Sequence, residues 1–252
     1  MKSNREQIQD LKKNGYPLTL ETVFNLAFEN YKKIAIYAGS LFLVGTALFL
    51  IIAATIIHYT YGLANFQELI QNPENLDPKN FSDEFITAYI ISMTLLGCFI
   101  RPVFAGFIKM AHCAQKDEEF HVATIFSYYK WSYFKELFSA TFIISIFNTG
   151  ITFIMEASGI PVLGMLASIS IGLLTILSVP LIIFSNFSAV ESINTSIVLT
   201  LKQPLLLLGL LMIAYLFCIT GFFIFFIGLF FTFPFLYSMY YAIYSSIIGF
   251  ND

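Results

Sequence analysis

Apolar residues in this chain come in runs long enough to cross a bilayer, set apart by polar or amphipathic stretches. Such runs cover residues 34–57, 85–108, 137–155 and 161–184. About 20 helical residues, at a rise of about 1.5 Å each, cross a hydrocarbon core of about 30 Å. The last run, 205–249, is too long for one crossing. It predicts two, with a tight turn near Thr220 and Gly221. The expected fold is all-α: a six-helix polytopic membrane protein with one membrane domain over residues 18–250.

The intervening stretches carry a second pattern. Leu20, Phe24, Ala27 and Tyr31 share one helical face, opposite Glu21, Asn25, Glu29 and Lys32. Val122, Ile125, Phe126, Tyr129 and Tyr133 share a face in a second stretch. Val190, Ile193, Ile197 and Leu201 do so in a third, opposite Glu191, Asn194 and Thr195. Each reads as an amphipathic helix lying in the membrane interface. Residues 1–17 read as a polar cytoplasmic tail, ended by Gly15 and Pro17. An uncleaved first span is expected, because the polar stretch before it is unlike a signal peptide.

Local signals mark several helix starts. Ser82 followed by Asp83 and Glu84 suits an N-cap with negative charge in the first turn. Pro161 and Pro204 suit first helical turns. Gly164, Ser168 and Gly172 form a small-residue stripe that would let a neighbouring helix pack closely. Pro102, Pro180 and Pro234 fall in the even-numbered spans, where they predict kinks.

Basic residues orient the chain. Lys2, Arg5, Lys12, Lys13, Lys32 and Lys33 precede the first span. Lys109, Lys116, Lys130 and Lys135 lie around the second amphipathic stretch, and Lys202 ends the third. The 62–84 loop holds only Lys79, and the turn at Glu156 holds none. The positive-inside rule then places both termini in the cytoplasm. An amphipathic segment before each odd span and a proline in each even span suggest three parallel two-helix units. Simple alternation in a six-helix protein would give the same pattern.

Composition narrows the function. Of 252 residues 58% are hydrophobic and only 12% charged, about half the charged share of soluble domains. With a net charge of −3 and no basic tract, nucleic acid is not an expected partner. Membrane lipids are. Cys98, Cys113 and Cys218 show no paired spacing and read as small buried hydrophobes. His58 falls on the side opposite His112 and His121, so the histidines cannot converge on one metal. The acidic loop residues Glu68, Glu74, Asp77, Asp83 and Glu84 lack calcium-loop spacing. No catalytic, cofactor-binding or metal-ligating residue set is expected, and the chain reads as no enzyme.

Arg101 is the only charge deep within a span. A charge there costs about 2.5–3.5 kcal/mol on insertion scales and commonly marks function. It is expected near the cytoplasmic interface, either as a topological anchor that snorkels to water or as a partner for a lipid headgroup or internal carboxylate. Glu156 reads as a solvated turn residue, and Asn148 and Thr149 as interhelical hydrogen-bonding groups.

Pro180, the run Ala189-Val190-Glu191-Ser192, Ser196, Lys202, Gly228, Pro234 and the Tyr240/Tyr241/Tyr244 cluster carry a resemblance. They resemble a broad group of uncharacterised bacterial six-helix membrane proteins, similar to the membrane domain attached to some glycerophosphodiester phosphodiesterases. The resemblance implies a fold and a bacterial membrane. It implies no phosphodiester chemistry, since the acidic metal-binding barrel has no counterpart here. The expected function is a non-enzymatic role in membrane organisation or lipid handling. The alternative is a small-molecule or lipid transporter, without proton or sodium coupling because the spans lack acidic residues.

Overall fold

A computed structural model describes residues 4–61, 71–72, 81–224 and 226–249. The described residues form an all-α multi-pass membrane protein with six helices long and apolar enough to cross a bilayer. The main helices in chain order are α1 (Asn4–Asn14), α2 (Leu20–Tyr61), α3 (Asp83–Gln115), α4 (Trp131–Ala157), α5 (Pro161–Leu174), α6 (Ser178–Ser185), α7 (Ala189–Thr200), α8 (Pro204–Thr220), α9 (Ile227–Thr232) and α10 (Pro234–Ile248). Helices α5 and α6 together make the fourth span, and α9 and α10 the sixth. The Ser82 hydroxyl accepts from the Phe85 amide and caps α3, while Pro161 and Pro204 open α5 and α8.

Helix α10 is the axis of the bundle. Only Tyr240, Ser245 and Ser246 along it are not buried. Against it packs the first half of α2, whose buried Val23, Ala27, Asn30, Ile34 and Ala38 recur at helical spacing. The small side chains Ala27 and Ala38 let the two axes approach. Phe235 of α10 fills the seam at its centre. Its ring lies 4.4 Å from Phe217 and 5.4 Å from Tyr31, centroid to centroid.

The three expected interfacial helices have three different fates. The first is not a separate element. It runs unbroken into the first span as α2: no proline interrupts residues 20–61, and Gly39 and Gly45 lie within the helix. The second is not a continuous helix. It breaks into a single turn, Val122–Ile125, and a 3-10 turn, Ser127–Tyr129, with Ile125 and Tyr128 buried and Val122 and Phe126 exposed. This segment lies directly on α3, where Gly106 makes room. A Cβ there would fall on the Ile125 backbone.

The third segment is a helix, α7, and it keeps Asn194 exposed but packs Thr195 inward. Ser192, Thr195, Ser196 and Thr200 face inward and are fully buried, while Val190 and Leu201 are more than half exposed. Small hydroxyl residues suit close helix packing as well as they suit water. Ser196 uses its position to mend the fourth span. Its Oγ donates to the Leu174 carbonyl at 2.7 Å and accepts from the Leu177 amide at 3.0 Å. These are the backbone groups freed where α5 stops and α6 begins. The three segments therefore do not share one form.

Residues 1–17 are not a bare tail. Helix α1 docks on α7 and α10 and buries Ile8. Gly15, at φ +76°, ends it, its amide donating to the Leu11 carbonyl at 2.9 Å. The Tyr16 hydroxyl then donates to the Leu199 carbonyl of α7 at 2.9 Å. Burial pushes this phenol up to about 12. Gln203 returns the contact, its amide donating to the Tyr16 carbonyl at 2.6 Å.

Candidate functional site

Arg101 sits about 27 Å along α3 from Asp83 and about 21 Å from Gln115, at 1.5 Å per residue. This is not a helix end. Its side chain lines a cavity of about 660 Å³ enclosed by α3, α4, the α5–α6 span, α8 and α10. The volume falls within the range of ligand pockets, about 300–1,000 Å³. The other walls also meet it at mid-depth. Thr141 lies about 15 Å into α4, Gly172 about 17 Å into α5 and Tyr215 about 17 Å into α8. The cavity therefore lies near the middle of the helices that wall it.

Its polar groups fall into two sets. One set is satisfied within the protein. Thr141 and Thr175 donate to the carbonyls of Leu137 and Ile171, each at 2.8 Å. Ser168 pairs with Thr152 at 3.1 Å, and Tyr215 meets Tyr240 at 3.5 Å. The second set is unspent. The Nε of Arg101 is buried without a hydrogen-bond partner, and among the described residues no carboxylate lies within ion-pair distance of it. A guanidinium stays charged at any physiological pH. A permanent positive charge therefore faces a space with no negative group to balance it. Tyr237 forms part of the same wall, held by stacking on Phe104 and Phe107 at 5.6 and 5.4 Å.

The cavity is open on one side. Ile108, Val179, Leu211 and Tyr237 on its inner wall are buried. Ile169 of α5 and Met212 and Tyr215 of α8 are 49%, 56% and 50% exposed. Those residues lie on the outer surface of two membrane-spanning helices. The opening thus lies on the outside of the span bundle.

The small-residue stripe divides. A Cβ on Gly164 would sit 3.3 Å from the Met155 Cβ, and Ser168 bonds Thr152, so both serve the α4–α5 contact. Gly172 meets nothing within 4 Å and faces the cavity instead of a helix. Pro102 lies inside the continuous α3, near where the Tyr129 hydroxyl donates to the Phe99 carbonyl at 2.9 Å. Pro180 lies in the first turn of α6, and Pro234 opens α10. Both stand at the start of the second part of a broken span, where a missing amide hydrogen costs least.

Glu156 and Thr149 are exposed, and the Asn148 Oδ1 is buried without a partner. His112 contacts the Tyr241 hydroxyl at 3.2 Å, and all three cysteines are buried thiols. Glu68, Glu74 and Asp77 lie outside the described residues. Among the described residues no cluster of metal-ligating side chains occurs. Thr141, Ser145, Tyr215 and Tyr237 were not singled out from the sequence. Their one signal is a polar atom inside an apolar run, and many such atoms simply bond their own helix.

The geometry defines a multi-pass membrane protein with a charged, ligand-sized cavity in its span bundle, open on the outside of that bundle. Comparison of the chain with family models, with curated proteins and with solved structures found no match.

Proposed function

We propose that this chain is a non-enzymatic integral membrane protein that handles lipid, with Arg101 receiving an anionic headgroup. The supporting observation is the unpaired guanidinium facing a mid-depth cavity. Leaving a charge unpaired in a low-dielectric site is costly, and a bound anion relieves that cost. The distribution of Lys and Arg favours both termini in the cytoplasm. The resemblance to bacterial six-helix membrane proteins is in keeping with a cell (inner) membrane.

Native mass spectrometry of protein extracted in mild detergent tests it. A lipid retained one-to-one by the wild type and lost in Arg101→Gln is the expected result. A bulk lipid mixture that is the same in both proteins would count against it.

The broken fourth span supports a second reading, a lipid or small-molecule transporter. The break runs through Thr175 and Ile176, both on the cavity wall. Discontinuous helices at mid-membrane sites recur in transporters. Accelerated movement of labelled lipid across protein-loaded liposomes would favour this reading, and rates equal to those of empty liposomes would remove it.

A further inference from the structure

The cavity's charge pattern and its open side define its ligand more closely than the word lipid does. This inference rests on the lipid-handling reading above. We infer that the ligand is a membrane-dissolved amphiphile with one negative charge and no positive charge, and that it reaches Arg101 sideways between α5 and α8.

The charge follows from what surrounds the site. Among the described residues Arg101 is the one cation on the cavity wall, and no Asp or Glu lines it. A carboxylate or a phosphodiester can take the guanidinium's donors as charge-assisted hydrogen bonds. A headgroup that also carries an ammonium would hold that cation near Arg101 with no acid to offset it. Like-charge repulsion of this kind is a strong source of selectivity in a poorly solvated site. Ser145 of α4 also lines the cavity and offers it a neutral hydroxyl. Ile144, Leu173 and Leu208 offer apolar walls for the start of an acyl chain.

The route follows from exposure. Ile169, Met212 and Tyr215 border the opening and are about half exposed, whereas the wall away from it is buried. An opening lined by exposed apolar residues at mid-depth admits chains already dissolved in the bilayer. A free ion would have to cross hydrocarbon to use it. Gly172 lies on the cavity wall with nothing within 4 Å of a Cβ, so a large side chain fits there and takes the ligand's space.

The test uses the full chain, stripped of lipid in detergent, with thermal unfolding read as each probe is added. Ligands that bind only the folded state raise Tm with concentration. Oleate and dioleoylphosphatidylglycerol should raise it with apparent affinities about 10- to 100-fold tighter than dioleoylphosphatidylcholine, the size of one hydrogen bond to a charged group. Inorganic phosphate should have no effect. Arg101→Gln should abolish the preference for the anionic probes. Gly172→Trp should abolish their binding while leaving the ligand-free Tm unchanged.

Equal stabilisation by phosphatidylcholine would overturn the charge assignment and leave lipid handling standing. Competition by inorganic phosphate would overturn the membrane route and show a free-anion site. Undiminished lipid binding in Gly172→Trp, with its folding intact, would overturn the placement in this cavity. No response to any lipid would remove the lipid-handling reading itself.

Discussion

Helix α10 of the sixth span and helix α5 of the fourth both wall the cavity, yet they sit in opposite environments. The sixth span, containing α10, is the least apolar of the six and the most deeply buried. It carries Tyr237, Ser238, Tyr241 and Tyr244 into the protein interior. Helix α5 is nearly all aliphatic, and Gly164 is its one buried residue. In water this arrangement would be inside out. In a bilayer it is not, because aliphatic side chains gain nothing by leaving lipid for protein. Some polar atoms find partners inside, as Tyr244 does with Ser185 at 2.8 Å. The cavity lies where the two regimes meet, with Tyr237 and Tyr240 of α10 on one side and Ile169 and Gly172 of α5 on the other.

Paired substitutions sharpen the contrast. The largest effect is expected at Phe235, fully buried at the centre of the α2–α8–α10 seam. Phe235→Ala should destabilise by about 3–5 kcal/mol, the range for deleting a buried aromatic ring. Met165→Ala on α5, 62% exposed, should stay within about 0.5 kcal/mol. Unfolding in detergent followed by circular dichroism measures both, and equal losses would erase the distinction between core and rim.

Ser196 offers the next test. Ser196→Val leaves the Leu174 carbonyl and the Leu177 amide without their partner. Each buried backbone group left unpaired costs roughly 1–3 kcal/mol. Ser170→Ala on exposed α5 removes only a bond to its own helix and should be close to neutral. Hydrogen exchange at residues 174–178 should rise in the first variant and not in the second.

Two glycines divide in the same way. Gly106→Ala forces a methyl onto the Ile125 backbone and should cost about 1–3 kcal/mol. Gly172→Ala meets no neighbour and should leave the melting temperature in place.

The smallest effect belongs to the docking of α1. Tyr16→Phe removes the bond to Leu199 and should cost about 1 kcal/mol. The same residue sets a pH dependence. Its phenol ionises near 12 in the fold, against about 10 in an unfolded chain. The folded state therefore holds the proton more tightly. The docking contribution is complete below about pH 10 and is lost as pH rises through 12. Proteolysis of α1 across that window should accelerate in the wild type, and the Tyr16→Phe variant should lose the part of the change that this proton controls.

Much of this was legible in the chain. Runs of apolar residues located the spans, since span length is set by bilayer thickness. Ser82, Pro161 and Pro204 marked helix starts because capping and proline rules act locally. Residues that act at a distance were not legible. Thr195 reads as outward by amphipathicity, yet it is fully buried. A threonine is small enough for a tight helix contact, and only the third dimension shows which use prevails. Ile8 gave no sign that a charged tail would dock. The cavity was hidden for a related reason. Arg101 stood out alone, but Thr141, Gly172, Tyr215 and Tyr237 come from four other spans, and no local pattern joins them. Gly172 even shares its spacing with Gly164, and the difference between a packed glycine and an open one lies wholly in the neighbouring helix.

The central claim is that Arg101 holds an anionic amphiphile inside the bundle. The most direct measurement places a photoreactive benzophenone side chain at position 145, replacing Ser145 beside the cavity, and identifies by mass what it captures in native membranes. The account predicts a single anionic lipid class attached at that position, lost when Arg101 is also changed to Gln. Adducts that mirror the bulk lipid mixture and persist without Arg101 would contradict it.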